Sequence, residues 1–168
     1  LFTIFMVYEV ALIPMYLLSG VWGSGRKEYA AMKLTLMLMG GSAFLLIGIL
    51  GIFYGAGGET MNLLEIAKLH IPHEMQRIFF PLIFLGFGVL GALFPFHTWS
   101  PDGHASAPTA VSMLHAGVLM KLGGYGCFRV AMYLMPEGAA MWGDVFLILT
   151  TISVVYGAFS AVVQTDLK

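Results

Sequence analysis

Five long apolar stretches alternate with short polar connections along the 168 residues of the chain. An α-helix needs about 20 apolar residues to cross the hydrocarbon core of a bilayer. Helices are expected because an open sheet edge in lipid would leave backbone groups unpaired. The pattern predicts an all-α protein, a polytopic transmembrane helix bundle that forms a single transmembrane region over residues 1–168. The predicted spans are residues 1–22, 34–54, 78–96, 109–134 and 145–163.

The third stretch is rich in residues that weaken a helix. Gly86, Gly88, Gly91 and Pro95 all lie within it, and a polar loop over residues 95–108 follows. Transporters place broken helices of this kind near the bilayer midplane, where backbone groups can line an ion path. We therefore expect one discontinuous helix in the bundle.

Composition narrows the class of protein. The chain is 59% hydrophobic and 10% charged, whereas soluble domains carry about 25% charged residues. The net charge of −1 and the lack of a basic run argue against a nucleic-acid partner. Cys127 has no second cysteine, and His97, His104 and His115 follow no metal-ligand spacing, so no metal site is expected. The lipid bilayer is the partner that this composition favours.

Two charged residues fall well inside predicted spans. Glu9 lies in the first span, five residues before Pro14, and Lys121 lies about twelve residues from either end of the fourth. A charge at bilayer depth costs roughly 2.5–3.5 kcal/mol on insertion scales, so such residues indicate function. Burial and pairing shift the proton affinities of a lysine and a glutamate in opposing directions. The two residues could form a proton relay, or a buried ion pair that only fixes helix register.

Two further residues are candidates for the same relay. Lys33 opens the second span, where it could carry protons or simply extend to the membrane interface. His115 lies six residues before Lys121, so the two do not share a helix face, and it could be a relay station or a packed, hydrogen-bonded side chain. Asp102 is expected to cap or turn the polar loop. No catalytic residue is predicted.

Small residues and loop charges add expectations about packing and orientation. Gly51 and Gly55 form a GxxxG pair, which allows close helix packing in lipid. Positive residues in the connection at residues 23–33, together with Lys168, place that connection in the cytoplasm. The chain starts within one apolar run and stops directly after another, so we expect a piece of a longer polytopic protein.

Five motifs are distributed in order along the whole chain. They are residues 8–16, residues 95–99 with 101–102, and residues 107–110, 116–126 and 164–168. Together they resemble one family, the antiporter-like membrane subunits of respiratory complex I, which is shared with Mrp-type cation antiporters and membrane-bound hydrogenases. Within it, the chain is most similar to the branch called chain M in bacteria and chain 4 in mitochondria. The resemblance implies that the five spans are helices 5 to 9 of fourteen.

The resemblance also implies roles. Glu9 falls on the essential carboxylate of helix 5, Lys121 on the lysine of helix 8, and Lys33 on a lysine that opens helix 6. It implies proton translocation coupled to electron transfer, in a complex whose enzymatic chemistry is NADH:quinone oxidoreduction. No cofactor is expected in this chain, because NADH, FMN, Fe–S clusters and quinone would be bound by other subunits. The implied partners are other membrane subunits, in the bacterial cell membrane.

One departure from the family pattern bears on function. The lysine usual in helix 7, just before the break, is Leu90 here. His115 also replaces an apolar residue usual in this branch. Two alternatives therefore stay open, an Mrp-type Na⁺/H⁺ antiporter subunit and a structural paralogue that does not pump. The sequence leaves undecided whether the ion is H⁺ or Na⁺ and which quinone is used.

Overall fold

A computed structural model of the chain describes residues 1–165, and these residues form helices joined by short connections. The last three residues of the motif at 164–168, including Lys168, lie outside the described part. Within residues 1–165 there is no strand, and the predicted all-α class is confirmed. The α-helices are α1 (Phe2–Trp22), α2 (Lys27–Gly55), α3 (Leu63–Ile66), α4 (His73–Leu90), α5 (Trp99–Ser106), α6 (Thr109–Leu114), α7 (Met120–Gly126) and α8 (Pro136–Val163).

The longest helices extend beyond the predicted apolar spans. Helices α1, α2 and α8 are long and apolar enough to cross a membrane. However, α2 begins at Lys27 rather than at residue 34, and α8 begins at Pro136 rather than at residue 145. Apolar patterning marks only the stretch suited to hydrocarbon, whereas backbone hydrogen bonding continues into the polar flanks, and proline is favoured at a first helical position. The bounds of the membrane crossings themselves stay a prediction.

The predicted discontinuous helix is present, and its break follows Leu90, the position that the resemblance placed just before the break. Helix α4 continues through Gly86 and Gly88 and ends at Leu90. Ala92 then adopts a φ of 58°, in the left-handed region. The segment at residues 95–108, predicted as a loop, contains the two-turn helix α5. The Trp99 indole N–H donates to the Val89 carbonyl across the break at 2.9 Å, which ties the two halves together.

The fourth predicted span is helical throughout but not uniformly α-helical. Between α6 and α7 lies a π-helical turn, π1 (His115–Leu119), and after α7 lies a second, π2 (Cys127–Met132). Such π-bulges frequently occur at functional sites, because the extra residue per turn re-aims neighbouring side chains. The first begins at a candidate relay residue.

Helices α2 and α4 form the centre of the bundle, and small residues bring them together. A Cβ added to Gly41 would lie 2.8 Å from the Cβ of Val89, and one added to Gly55 would lie 3.3 Å from the Met75 sulfur. Gly48 meets Ile83 and Gly51 meets Phe79 in the same way. The predicted close packing at Gly51 and Gly55 is therefore confirmed, and its partner is α4.

Hydrogen bonds identify the two ends of the bundle. The Ser24 N–H donates to the Ser106 carbonyl at 2.8 Å, so the end of α5 lies beside the α1–α2 connection. We call this end the α1–α2 side. At the opposite end, which we call the α2–α4 side, His73 Nδ1 lies 3.0 Å from a carboxylate oxygen of Glu137 at the start of α8. Helix α8 therefore runs from the α2–α4 side toward the α1–α2 side.

Candidate functional site

Glu9 lies at the interface of α1 and α2. Its neighbour Tyr8 is buried and donates its hydroxyl to the Leu38 carbonyl of α2 at 2.8 Å, which fixes this part of α1 against α2. Glu9 lines a cavity of about 360 Å³ together with Thr35 and Met39 of α2. Its Oε1 atom is buried and has no hydrogen-bond partner within residues 1–165. One carboxylate oxygen of Glu9 is therefore buried without a partner among the described residues, beside a mostly apolar cavity.

Lys33 forms an ion pair that the sequence did not indicate. Its Nζ atom lies 2.7 Å from Oδ2 of Asp102, which joins α2 to the half-helix α5. The expectation that Asp102 caps or turns a loop is wrong, because Asp102 lies inside α5 and its carboxylate bonds a lysine 69 residues earlier in the chain. A cavity of about 410 Å³ on the α1–α2 side is lined by Asp102, Arg26 and Tyr29. The Lys33–Asp102 ion pair therefore lies beside this partly polar cavity.

Lys121 lies on the exposed face of α7. Within the described part of the chain no ion pair joins it to Glu9 or to another carboxylate. The structure places the two central candidates on different helices and does not bring them into contact. Their exchange of a proton would require intervening water or side chains, and the roles predicted for Glu9, Lys121, Lys33 and His115 stay predictions.

His115 is fully buried, with 0% of its surface exposed. Neither of its ring nitrogens has a hydrogen-bond partner among residues 1–165. Its ring packs edge-on against His104, with centroids 5.7 Å apart, and Nδ1 of His104 lies 2.8 Å from the Ser112 hydroxyl. His115 is buried while Lys121 is exposed, so the two residues lie on different faces, as the sequence predicts. The sequence left open a packed, hydrogen-bonded role for His115. Among residues 1–165 its ring is packed, but neither ring nitrogen forms a hydrogen bond.

Leu90 occupies the position where the resembling family carries a lysine. Its side chain is 0% exposed and belongs to the apolar core that includes Tyr8, Leu38 and Trp99. The following residue, Gly91, lies against Gly123 of α7. A Cβ added to Gly123 would lie 2.5 Å from the Gly91 backbone nitrogen. The end of α4 is therefore packed with apolar groups.

Among residues 1–165, no group of three His, Cys, Asp or Glu side chains is placed to hold a metal ion.

Comparison with known proteins identifies the kind of molecule that shares this arrangement. The family model described as "NADH:quinone oxidoreductase/Mrp antiporter, TM" matches residues 1–168. The chain is 42% identical over 169 residues to NAD(P)H-quinone oxidoreductase chain 4 3 of a Picosynechococcus species, covering 100% of this chain and 31% of that protein. It is 41% identical over 165 residues to the chloroplastic chain 4 of Citrus sinensis, covering 98% of this chain and 33% of that protein.

Solved structures give the same result. The chain matches respiratory complex I from Thermus thermophilus with bound NADH with a TM-score of 0.91 and 30% identity, over 99% of this chain and 36% of that one. It also matches the membrane-bound sulfane sulfur reductase, an archaeal respiratory membrane complex, with a TM-score of 0.87 and 29% identity, over 97% of this chain and 34% of that one. The chain thus spans about a third of the length of these relatives.

Proposed function

The chain belongs to the NADH:quinone oxidoreductase/Mrp antiporter transmembrane family, and we propose that it is part of a proton-translocating membrane subunit of an NADH–quinone oxidoreductase. It is an integral membrane protein, similar over its whole length to chain 4 of NAD(P)H-quinone oxidoreductases. In the proposed function this segment forms one proton half-channel. It would contribute to the enzyme as a subunit, without carrying redox chemistry itself.

The observation that carries the proposal is the state of the Glu9 carboxyl group. It sits in a long apolar helix, one oxygen is buried without a partner in the described chain, and a cavity opens beside it. A buried polar oxygen without a hydrogen-bond partner costs free energy, and water entering the cavity would remove that cost. A carboxyl group that served only to fix helix register would instead be hydrogen-bonded across the interface.

The proposed path starts on the α1–α2 side. Water entering from that side would protonate Glu9, and Lys121 would pass the proton toward the centre of the subunit. Lys33, near the start of α2 on the same side, is engaged with Asp102. Opening the Lys33–Asp102 pair would release a positive charge on the side from which the proton enters. His115, buried without a partner for its ring nitrogens, would supply a further station.

The partners and location follow from the proposed function. NADH, FMN, Fe–S clusters and quinone would be bound by other subunits, and this chain would contact other membrane subunits of the complex. We place the complex in the bacterial cell membrane, with the α1–α2 side in the cytoplasm. The relatives in cyanobacteria and the structural match from Thermus thermophilus support a bacterial source.

Replacing the central lysine tests the proposal. We expect Lys121→Ala in the full-length subunit to lower proton pumping by the assembled complex while electron transfer to artificial acceptors continues. A station that lowers the barrier by about 1.4 kcal/mol gives about a tenfold effect on rate. Pumping is measured as proton uptake by reconstituted vesicles. Lys68→Ala, at an exposed position in the α2–α4 connection, is the matched control and should leave pumping unchanged. Unchanged pumping in Lys121→Ala would refute the relay.

Two alternative functions each rest on a specific observation. The family model covers Mrp antiporters as well as quinone oxidoreductases, and the match to the sulfane sulfur reductase shows that the fold is not confined to one type of complex. An Mrp-type Na⁺/H⁺ antiporter subunit is therefore the first alternative, and neighbouring genes that encode only antiporter subunits would favour it. The fully buried Leu90 supports the second alternative, a structural paralogue that does not pump.

A further inference from the structure

The partly polar cavity beside the Lys33–Asp102 ion pair lies on the α1–α2 side, between the α1–α2 connection and the half-helix α5. Its volume is about 410 Å³. A water molecule in the liquid occupies about 30 Å³, so the cavity has room for a polar group of several atoms. The two walls are joined by the hydrogen bond from the Ser24 N–H to the Ser106 carbonyl. The residues that line the cavity include Ser24, Arg26, Tyr29, Asp102 and Ser106.

The charged groups around this cavity leave an excess of positive charge. Asp102 is paired with Lys33, so the carboxylate in the cavity wall is already neutralised. Arg26 lines the cavity and Lys27 follows it, and neither has a carboxylate partner among residues 1–165. Glu28 is exposed and does not line the cavity. The cavity therefore suits an anionic ligand rather than a cation.

The Arg26 side chain is oriented by an aromatic ring rather than by hydrogen bonds. Its Cζ atom lies 4.7 Å from the centroid of the Tyr29 ring, which is a cation–π contact. Lys33 Nζ lies 5.7 Å from the same centroid. Within the described part of the chain the guanidinium N–H groups of Arg26 have no acceptor. An arginine presents these donors in a planar fork that matches the oxygen atoms of a phosphate. Arg26 is therefore free to bind a phosphate group.

Aromatic side chains indicate that this cavity lies at the level of the lipid headgroups. Trp22 at the end of α1 and Tyr29 in the first turn of α2 are 66% and 51% exposed. Tryptophan and tyrosine are enriched where a membrane meets water, because their rings are amphipathic. Exposed Met32 and Leu36 follow Tyr29 at helical spacing, three and seven residues later. These three residues, which we call the Tyr29–Leu36 stripe, form an apolar surface that leads from the cavity toward the membrane interior.

From these observations we infer that the cavity binds the headgroup of an anionic membrane phospholipid. The Arg26 guanidinium and the Ser24 hydroxyl contact the phosphate, and an acyl chain lies along the Tyr29–Leu36 stripe. A lipid fits better than free phosphate because the unpaired cation and the apolar stripe adjoin, and only a lipid uses both. The site lies apart from Glu9 and Lys121, so lipid binding there does not depend on whether the subunit pumps.

Photolabelling from within the bilayer tests the site in the assembled complex. The complex is reconstituted in phosphatidylcholine vesicles that contain a trace of a lipid with a diazirine on its acyl chain. The headgroup of this probe is either phosphatidylglycerol, which is anionic, or phosphatidylcholine, which is zwitterionic. After illumination, mass spectrometry locates the labelled residues. We expect phosphatidylglycerol to label residues 29–36 about fivefold more than phosphatidylcholine does, which is the effect of one arginine charge near a membrane surface.

Two variants separate a built site from diffuse attraction to positive charge. Arg26→Gln and Lys27→Gln remove the same charge from adjacent positions, but Lys27 does not line the cavity and donates to the Val21 carbonyl at 2.8 Å. We expect Arg26→Gln to abolish the excess labelling by phosphatidylglycerol and Lys27→Gln to leave most of it.

Three results would overturn the lipid site. Equal labelling of residues 29–36 by the two probes would show that the headgroup is not recognised. An equal loss in Arg26→Gln and Lys27→Gln would show diffuse attraction only. Loss of the excess when inorganic phosphate is added would show that the cavity takes a soluble anion instead of a lipid. Because labelling is read without pumping, failure of the Lys121 relay leaves this result unaffected.

Discussion

At the scale of single residues, Leu90 decides how far the family's usual proton path applies to this chain. The side chain is completely buried in an apolar core, so the position has adapted to an uncharged residue. Glu9 keeps its buried carboxyl oxygen, but the lysine that resembling proteins carry before the break is missing. Lys33 is engaged with Asp102, and Lys121 has no carboxylate partner in the described chain. None of these lysines replaces the missing one by contact with Glu9.

Restoring a lysine at position 90 separates a pumping subunit from a structural one. A charge at bilayer depth costs roughly 2.5–3.5 kcal/mol, so Leu90→Lys should lower the stability of the subunit by about that amount. If the chain does not pump because this lysine is missing, proton uptake by vesicles should increase in Leu90→Lys. The control is Leu90→Met, a volume-conserving change that costs less than about 1.5 kcal/mol. Identical pumping in all three proteins, at equal levels of assembled complex, would remove support for the non-pumping paralogue.

Some candidate residues could be identified from the local sequence pattern, whereas the partner of Asp102 could not. Glu9 and Lys121 stand out because each interrupts an apolar run. Asp102 lies in a Pro-Asp-Gly sequence, which favours a turn, and its actual partner is Lys33, 69 residues away. Pairing at that separation follows from how α5 packs on α2, which no local pattern contains.

At the scale of elements, the glycine residues of α4 have a role other than the one their propensity suggests. Gly86 and Gly88 are two of the four helix-weakening residues that predicted a discontinuous helix, yet α4 continues through both. A Cβ on Gly86 would lie 2.9 Å from the Leu45 nitrogen of α2, so the missing side chain permits close packing. Tertiary contact outweighs a helix penalty of about 1 kcal/mol per glycine. The existence of the break could be predicted from composition and its position after Leu90 from the resemblance, whereas the role of Gly86 depends on packing.

The contact between the break and α7 gives a test at this scale. A Cβ on Gly123 would lie 2.5 Å from the Gly91 nitrogen and 2.7 Å from the Phe87 carbonyl oxygen, both backbone atoms. Backbone cannot move aside as a side chain can, so Gly123→Ala should destabilise the subunit by at least the roughly 1–3 kcal/mol typical of overpacking. The matched control is Gly124→Ala, since nothing lies within 4 Å of a Cβ there. We expect a lower thermal unfolding temperature of the purified complex for Gly123→Ala alone. Equal temperatures for the two variants would contradict the observed packing.

At the scale of the whole molecule, the start of α8 is tied to α4 by a buried hydrogen bond. Only Gly138 and Phe146 are buried among its 28 residues. The Gly138 N–H, one of the donors that a helix start leaves without an internal partner, bonds the buried side chain of Gln76 at 3.1 Å. Gln76 in turn donates to the Ile71 carbonyl at 2.9 Å. Gln76 of α4 therefore positions the first turn of α8, while Phe146 packs against Phe80 and Phe84 further along the helix.

Removing that side chain's hydrogen bonds should loosen α8 selectively. Gln76→Leu leaves the Gly138 N–H buried without a partner, which costs about 1–3 kcal/mol. Opening of the first turns should become more frequent by the corresponding factor, about fivefold to a hundredfold, and amide hydrogen exchange over residues 136–146 measures it. The control is Glu137→Gln, which weakens only the exposed pair with His73 and should cost less than about 1 kcal/mol. Exchange as slow in Gln76→Leu as in Glu137→Gln would mean that α8 is positioned by contacts other than this cap.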